Sequence, residues 1–121
     1  MGYESTVTRQ STTMPGVTFQ IARMSFGRRL ELTRRVRELS RKFEFLQASS
    51  DATERFEAGL LAGEVDGTYL RWGLVSLDGL IVDGAPADVE RLIEAGPEDL
   101  CREIIAAIKD ECGLSEDERK N

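Results

Sequence analysis

The residues most able to do chemistry are seven cations crowded between Arg28 and Lys42: Arg28, Arg29, Arg34, Arg35, Arg37, Arg41 and Lys42. Guanidinium and ammonium groups in such a run can clamp phosphates. Single-stranded nucleic acid also needs aromatic stacking platforms, and none interleaves with these arginines. The sequence pI near 4.8 argues against a general nucleic-acid binder. A solvated or partner-facing helix is therefore the leading reading, and nucleic acid is the unlikely partner. Cys101 and Cys112 are the two thiols. Both fall in one expected helix, where eleven residues span about 16 Å, too far for a disulfide. Asp78, Asp83 and Asp88 recur every five residues, without calcium-loop spacing. Asp78–Gly79 and Asp83–Gly84 read as turns. Glu64 and Asp66 could exchange protons, but nothing in the sequence marks them as buried or paired. The chain has no histidine, which removes histidine bases, histidine metal sites and the usual nucleophile–histidine pairs. No glycine-rich phosphate loop occurs. The expectation is a chain that is not an enzyme and takes no cofactor or metal.

Charge divides unevenly along the 121 residues. Residues 1–48 hold nine Lys/Arg against four Asp/Glu, a net +5, and residues 49–121 hold seven against eighteen, a net −11. Opposite halves of this kind can attract within the fold, pair head to tail between copies, or offer unlike surfaces to partners. No apolar run approaches the ~20 residues of a membrane span. The N-terminus lacks the layout of a secretory signal. Both features favour a cytoplasmic protein without membrane contact.

The elements that must position these residues can be read from periodicity. Residues 1–16 are Ser/Thr-rich and end in Pro15–Gly16, which reads as a flexible arm closed by a turn. Val17, Phe19 and Ile21 alternate with polar residues, a half-buried strand whose only evident partner lies within 74–83. Ser25 caps a helix over about 26–48. In it Leu32, Val36, Leu39, Phe43 and Leu46 form one apolar seam. Arg34, Arg37 and Arg41 lie opposite the seam, and Leu30 and Phe45 also point away from it. Glu31–Arg35 and Glu38–Lys42 have the order that supports an exposed helix. A second helix is expected over Glu54–Val65, with Ser50 or Asp51 as cap and Phe56, Leu60 and Leu61 as its apolar positions. Asp66–Gly67 reads as a turn or kink. The stretch 68–84 reads as a helical start at 68–74 followed by a hairpin about Asp78–Gly79, with the single tryptophan anchoring the core. Helices over 88–95 and 97–112 follow, the second opened by Pro97 and closed by Gly113–Leu114. Ser115 to Glu118 spells a capping box, so residues 115–121 are either a frayed tail or a truncated helix start.

Four segments share a pattern: PGVTFQIARMSFGRRLELTRRVREL, YLRWGL…GLIVDG, GPEDLCREIIAAI and CGLSEDERKN. Over roughly residues 15–121 this resembles the small tail assembly chaperones encoded among the tail genes of tailed phages and prophages. The resemblance implies a protein of the bacterial host cytoplasm. Its partner would be a long coiled-coil tape-measure protein, kept soluble while tail-tube subunits assemble around it. It also implies that a longer frameshifted product can exist. It brings no catalytic residue with it.

The expected fold is mainly α with minor β: one domain over 17–114, with four to five helices and a short strand or hairpin element. The expected partner-binding residues are Leu30, Phe45, Arg34, Arg37, Arg41, Tyr69 and Trp72; the Leu32–Leu46 seam is a further candidate surface but reads first as internal core. The leading function is tail morphogenesis as an assembly chaperone. The alternatives are a structural tail or connector subunit forming head-to-tail homo-oligomers, and a basic-helix nucleic-acid regulator.

Overall fold

Leu32, Leu39, Phe43 and Leu46 recur at helical spacing, and a helix built on them has one side that must leave water. The computed structural model, which describes residues 1–113, forms that helix as α1, Phe26–Gln47. Ser25 caps it, its side chain accepting a hydrogen bond from the Arg28 N–H at 3.3 Å. A second helix, α2, runs from Ala52 to Gly73. The Asp51 carboxylate accepts from the N–H groups of Thr53 at 2.8 Å and Glu54 at 3.4 Å, satisfying donors that the first turn leaves without helical partners. The four-residue connection 48–51 makes α1 and α2 antiparallel. Leu46 packs with Ala58 and Leu61, and Leu39 and Phe43 close over that cluster.

The helix α2 is longer than its sequence suggests. The break expected at Asp66–Gly67 does not occur. Each glycine there costs about 1 kcal/mol against alanine. Leu61, Val65, Tyr69 and Trp72 nevertheless continue one helical stripe, and all four are buried or half-buried. Burial of that stripe outweighs the glycine cost.

Backbone contacts group the chain into two compact units, Ser25–Tyr69 and a second made of Met1–Met24 with the segment from Leu70 onward. The second unit holds a three-stranded antiparallel sheet in the order β1-β2-β3: β1 is Thr6–Gln10, β2 is Thr18–Ala22 and β3 is Leu74–Asp78. Phe19 and Ile21 of β2 are buried, as their alternation predicts. β3 is the expected partner of β2, with a register shift between Gln20 and Ile21. β1 is not expected. Residues 1–16, read as a flexible arm, instead supply a strand in register with β2 from Thr6↔Ala22 to Gln10↔Thr18. Met14 to Val17 close its turn through Val17 N–H to Met14 C=O, 3.1 Å, with Gly16 at φ 92° after Pro15.

Two short strands, β4 (Ile81–Val82) and β5 (Ala85–Pro86), pair around Asp83–Gly84. Both turn residues have positive φ, 51° and 82°. That is the two-residue geometry which follows strand twist and favours Asp-Gly. The hairpin expected at Asp78–Gly79 therefore lies five residues later, because β3 pairs with β2 and not with β4. Helix α3, Val89–Ala95, is capped by Asp88, and α4, Glu98–Glu111, follows Pro97. Pro97 takes the capping position itself, so the helix begins one residue later than expected, at Glu98. α4 packs on β2. Ile21, Leu92, Leu100, Ile104 and Ile108 are almost completely buried and form the centre of this unit. Each such side chain stabilises the fold by roughly 1.5–3 kcal/mol.

The described residues thus form a mainly α chain with minor β structure, four helices and five short strands. The capping box at 115–118 and Leu114 lie outside them.

Candidate functional site

The side of α1 facing away from Ala58 and Leu61 is the most unusual exposed surface of the helical hairpin. At ~100° per residue, Leu30, Arg34, Arg37, Arg41 and Phe45 fall on one side of the helix, opposite the seam. The seam itself turns inward: Leu32 and Leu46 are buried, and Val36, Leu39 and Phe43 are half-buried. Leu30 and Phe45 remain 53% and 74% exposed, values that leave both available to another surface. A shallow, open depression on this side is lined by Leu30, Arg34, Arg37 and Arg41, with Arg29, Thr33 and Glu38 at its margins.

The electrostatics of this face are specific. Glu31 and Arg35, at its edge, form the expected i,i+4 ion pair at 2.7 Å. Glu38 and Lys42, expected to pair, make no ion pair among the described residues. The same holds for Arg34, Arg37 and Arg41. Three guanidinium groups, each a rigid fork of donors, therefore stand between two apolar side chains. This arrangement is suited to a carboxylate-bearing apolar helix.

Tyr69 and Trp72 do not join this face. Tyr69 is half-buried near the end of α2. Trp72 is buried, with Leu70 and Leu74 buried beside it in the chain, which removes it as an exposed contact. The inward stripe of the longer α2 carries the indole into the core, where its large apolar surface is best placed.

The structure shows a second exposed face that the sequence reading missed. Phe56 and Leu60, expected in the core of α2, are exposed; Ala58 and Leu61 are buried instead. One helix cannot bury both sets, since they lie on opposite sides. The available signal is the spacing of Ala58, Leu61, Val65 and Tyr69, which continues as one stripe where the Phe56–Leu60 line runs on into Gly63, Glu64 and Gly67.

In the sheet-containing unit, polar groups hold structure together. The Glu103 carboxylate on α4 accepts hydrogen bonds from Ser11 Oγ at 2.6 Å, the Thr12 N–H at 2.7 Å and Thr12 Oγ1 at 2.9 Å. Burial alone pushes its pKa up, but hydrogen bonds from Ser11, Thr12 and Thr13 outweigh that and hold it at about 2. This clasp fastens the β1–β2 loop to α4. Arg71 makes a forked ion pair with Glu90, both contacts 2.8 Å, and Arg91 pairs with Asp83. Cys101 and Cys112, half-buried and buried, form no disulfide among the described residues. Burial pushes the Cys101 thiol up, away from reactive thiolate, with Glu98 adding to the shift.

Among the described residues no group of three or more metal-ligating side chains occurs, and no helix is long and apolar enough to cross a membrane. Set against protein-family models, curated proteins and solved structures, the chain matches none of them.

Proposed function

We propose that this chain is a non-enzymatic protein-binding subunit of phage tail morphogenesis. In this role it is an assembly chaperone that holds a long helical client of the tape-measure type on the outer face of α1. One observation carries the reading: Leu30 and Phe45 stand exposed at the two ends of a row of arginines that make no ion pair among the described residues, on a single helix face. A helix-in-groove contact uses apolar anchors at helical spacing for affinity. Charge around the anchors sets orientation and association rate. The client face is therefore expected to be apolar with acidic flanks. The sequence resemblance to tail assembly chaperones supports the same assignment, and with it a bacterial cytoplasmic setting.

The test is an affinity capture with mass spectrometry from cells expressing the native gene cluster. The wild-type chain is compared with a Leu30→Ser/Phe45→Ser variant of unchanged circular dichroism. Recovery of a long, helix-rich tail protein that drops at least tenfold with the variant supports the chaperone. Recovery of particle subunits alone, unaffected by the variant, overturns it in favour of a structural tail or connector subunit.

A further inference from the structure

The α1–α2 hairpin exposes two unlike faces, and their chemistry is complementary. On α1, Arg34 and Arg41 are seven residues apart, two helical turns or about 10 Å, and lie on the face that carries Leu30 and Phe45. On α2, Glu57 and Glu64 have the same seven-residue spacing. They flank the exposed Phe56 and Leu60, which are 69% and 60% accessible. None of these four charged side chains makes an ion pair among the described residues. Both helices have the same length, 22 residues. Beside Leu60 on α2, Gly59 and Gly63 present bare backbone, with open space where a Cβ would stand.

From this match we infer that the outer face of α2 in one copy docks onto the outer face of α1 in a second copy, head to tail. The inference rests on reading the α1 face as a helix-docking surface, and it names the chain's own α2 as a competing occupant. In an antiparallel arrangement, the one the hairpin itself uses, Arg34 lies opposite Glu64 and Arg41 opposite Glu57. Phe45 then falls opposite Thr53, about one helical turn from Phe56, and Leu30 falls opposite Thr68, next to Gly67. A parallel arrangement pairs the same charges but moves Phe45 away from Phe56. The contact is heterologous, since unlike surfaces meet, so copies can add in series instead of stopping at a two-fold dimer. Its consequence is regulatory: self-association covers Leu30 and Phe45 until an acidic helical client displaces the neighbouring copy.

The test uses the full chain in sedimentation velocity over a range of concentrations. The wild type is expected to show a mean mass rising above the 13.5 kDa of one copy, and falling back as salt screens the pairs. Arg34→Glu/Arg41→Glu and Glu57→Arg/Glu64→Arg are each expected to stay at single-copy mass. All four positions are solvent-exposed, and circular dichroism verifies that each variant keeps its helices. Should a reversal perturb folding, the neutral pair Arg34→Gln/Arg41→Gln takes its place. Mixing the two reversed variants in equal amounts is expected to restore association, because each then meets an opposite charge. A wild type that stays at single-copy mass throughout overturns the inference. So does a mixture that stays at single-copy mass, or a reversed variant that associates by itself as well as the wild type. Client capture by Glu57→Arg/Glu64→Arg separates the two readings, since its α1 face is intact. If capture persists without any self-association, only this inference fails. If self-association stands but no helical client is captured, the chaperone reading fails.

Discussion

At the scale of single residues, Glu103 and Gly79 carry the clearest structural demands. Glu103 holds the β1–β2 loop through charge-assisted hydrogen bonds, which are stronger than neutral ones. Its folded pKa of about 2 lies below the ordinary value of 4.5. A carboxylate lowered in this way contributes stability fully above pH 4.5 and loses it as pH falls toward 2. Urea midpoints measured down this range should therefore show wild type and Glu103→Gln converging. At neutral pH the variant should be the less stable. A gap that stays constant with pH would mean the clasp does not depend on the ionised form. Gly79 sits at φ 87°, and a Cβ there would lie 2.2 Å from the carbonyl oxygen of Gly16. Backbone cannot yield as a flexible side chain can. Gly79→Ala is expected to destabilise the chain by roughly 1–3 kcal/mol, read as a lower denaturation midpoint. An unchanged midpoint would show that the Gly16 turn moves freely.

At the scale of elements, legibility followed the strength of the local signal. The boundaries and cap of α1 could be read because its seam is long and Ser25 stands at its start. The strand β2 was legible through Val17, Phe19 and Ile21. β1 was not, because Thr6 to Gln10 are mostly polar and no side of the strand is apolar enough to announce itself. What holds β1 is nonlocal: backbone pairing to β2, and the hydrogen bond from Gln20 to Thr8 at 3.3 Å. Asp78–Gly79 and Asp83–Gly84 both looked like turns, and only the pairing of β3 with β2 decides which of them closes a hairpin. The same limit applies to α2, where residues 56, 60 and 61 could not all face inward. This yields a contrast between neighbours. Leu61→Ala should cost about 2–4 kcal/mol, whereas Leu60→Ala should stay within about 0.5 kcal/mol. Chemical denaturation of the two variants checks it, and equal losses would contradict the assigned faces.

At the scale of the whole molecule, the useful description is a division of labour in the sequence. The apolar side chains of β2, α3 and α4 are consumed by the core around Ile21, Leu92 and Ile104. The α1–α2 hairpin leaves much of its apolar surface outside. That Leu30, Phe45, Arg34, Arg37 and Arg41 share one exposed helix face was legible from helical angle alone. Trp72 was misplaced because its burial depends on how far α2 extends, which the glycines obscure. The basic face also bears on nucleic acid. Binding to DNA by α1 would weaken steeply with salt, by roughly one power of salt concentration per phosphate neutralised. With no aromatic platform and an acidic remainder, the chain is expected to show no retention on DNA at physiological ionic strength. Tight, salt-sensitive retention would favour the regulator over the chaperone.

The central claim is that α1 holds a helical client, and co-expression tests it most directly. The chain is produced together with the long helix-rich tail protein of its own gene cluster, and the soluble fraction of that protein is measured. The account predicts a severalfold gain in soluble client with the wild-type chain, lost with Leu30→Ser/Phe45→Ser. Client solubility that does not depend on the chain, or that the double variant supports equally well, would contradict it.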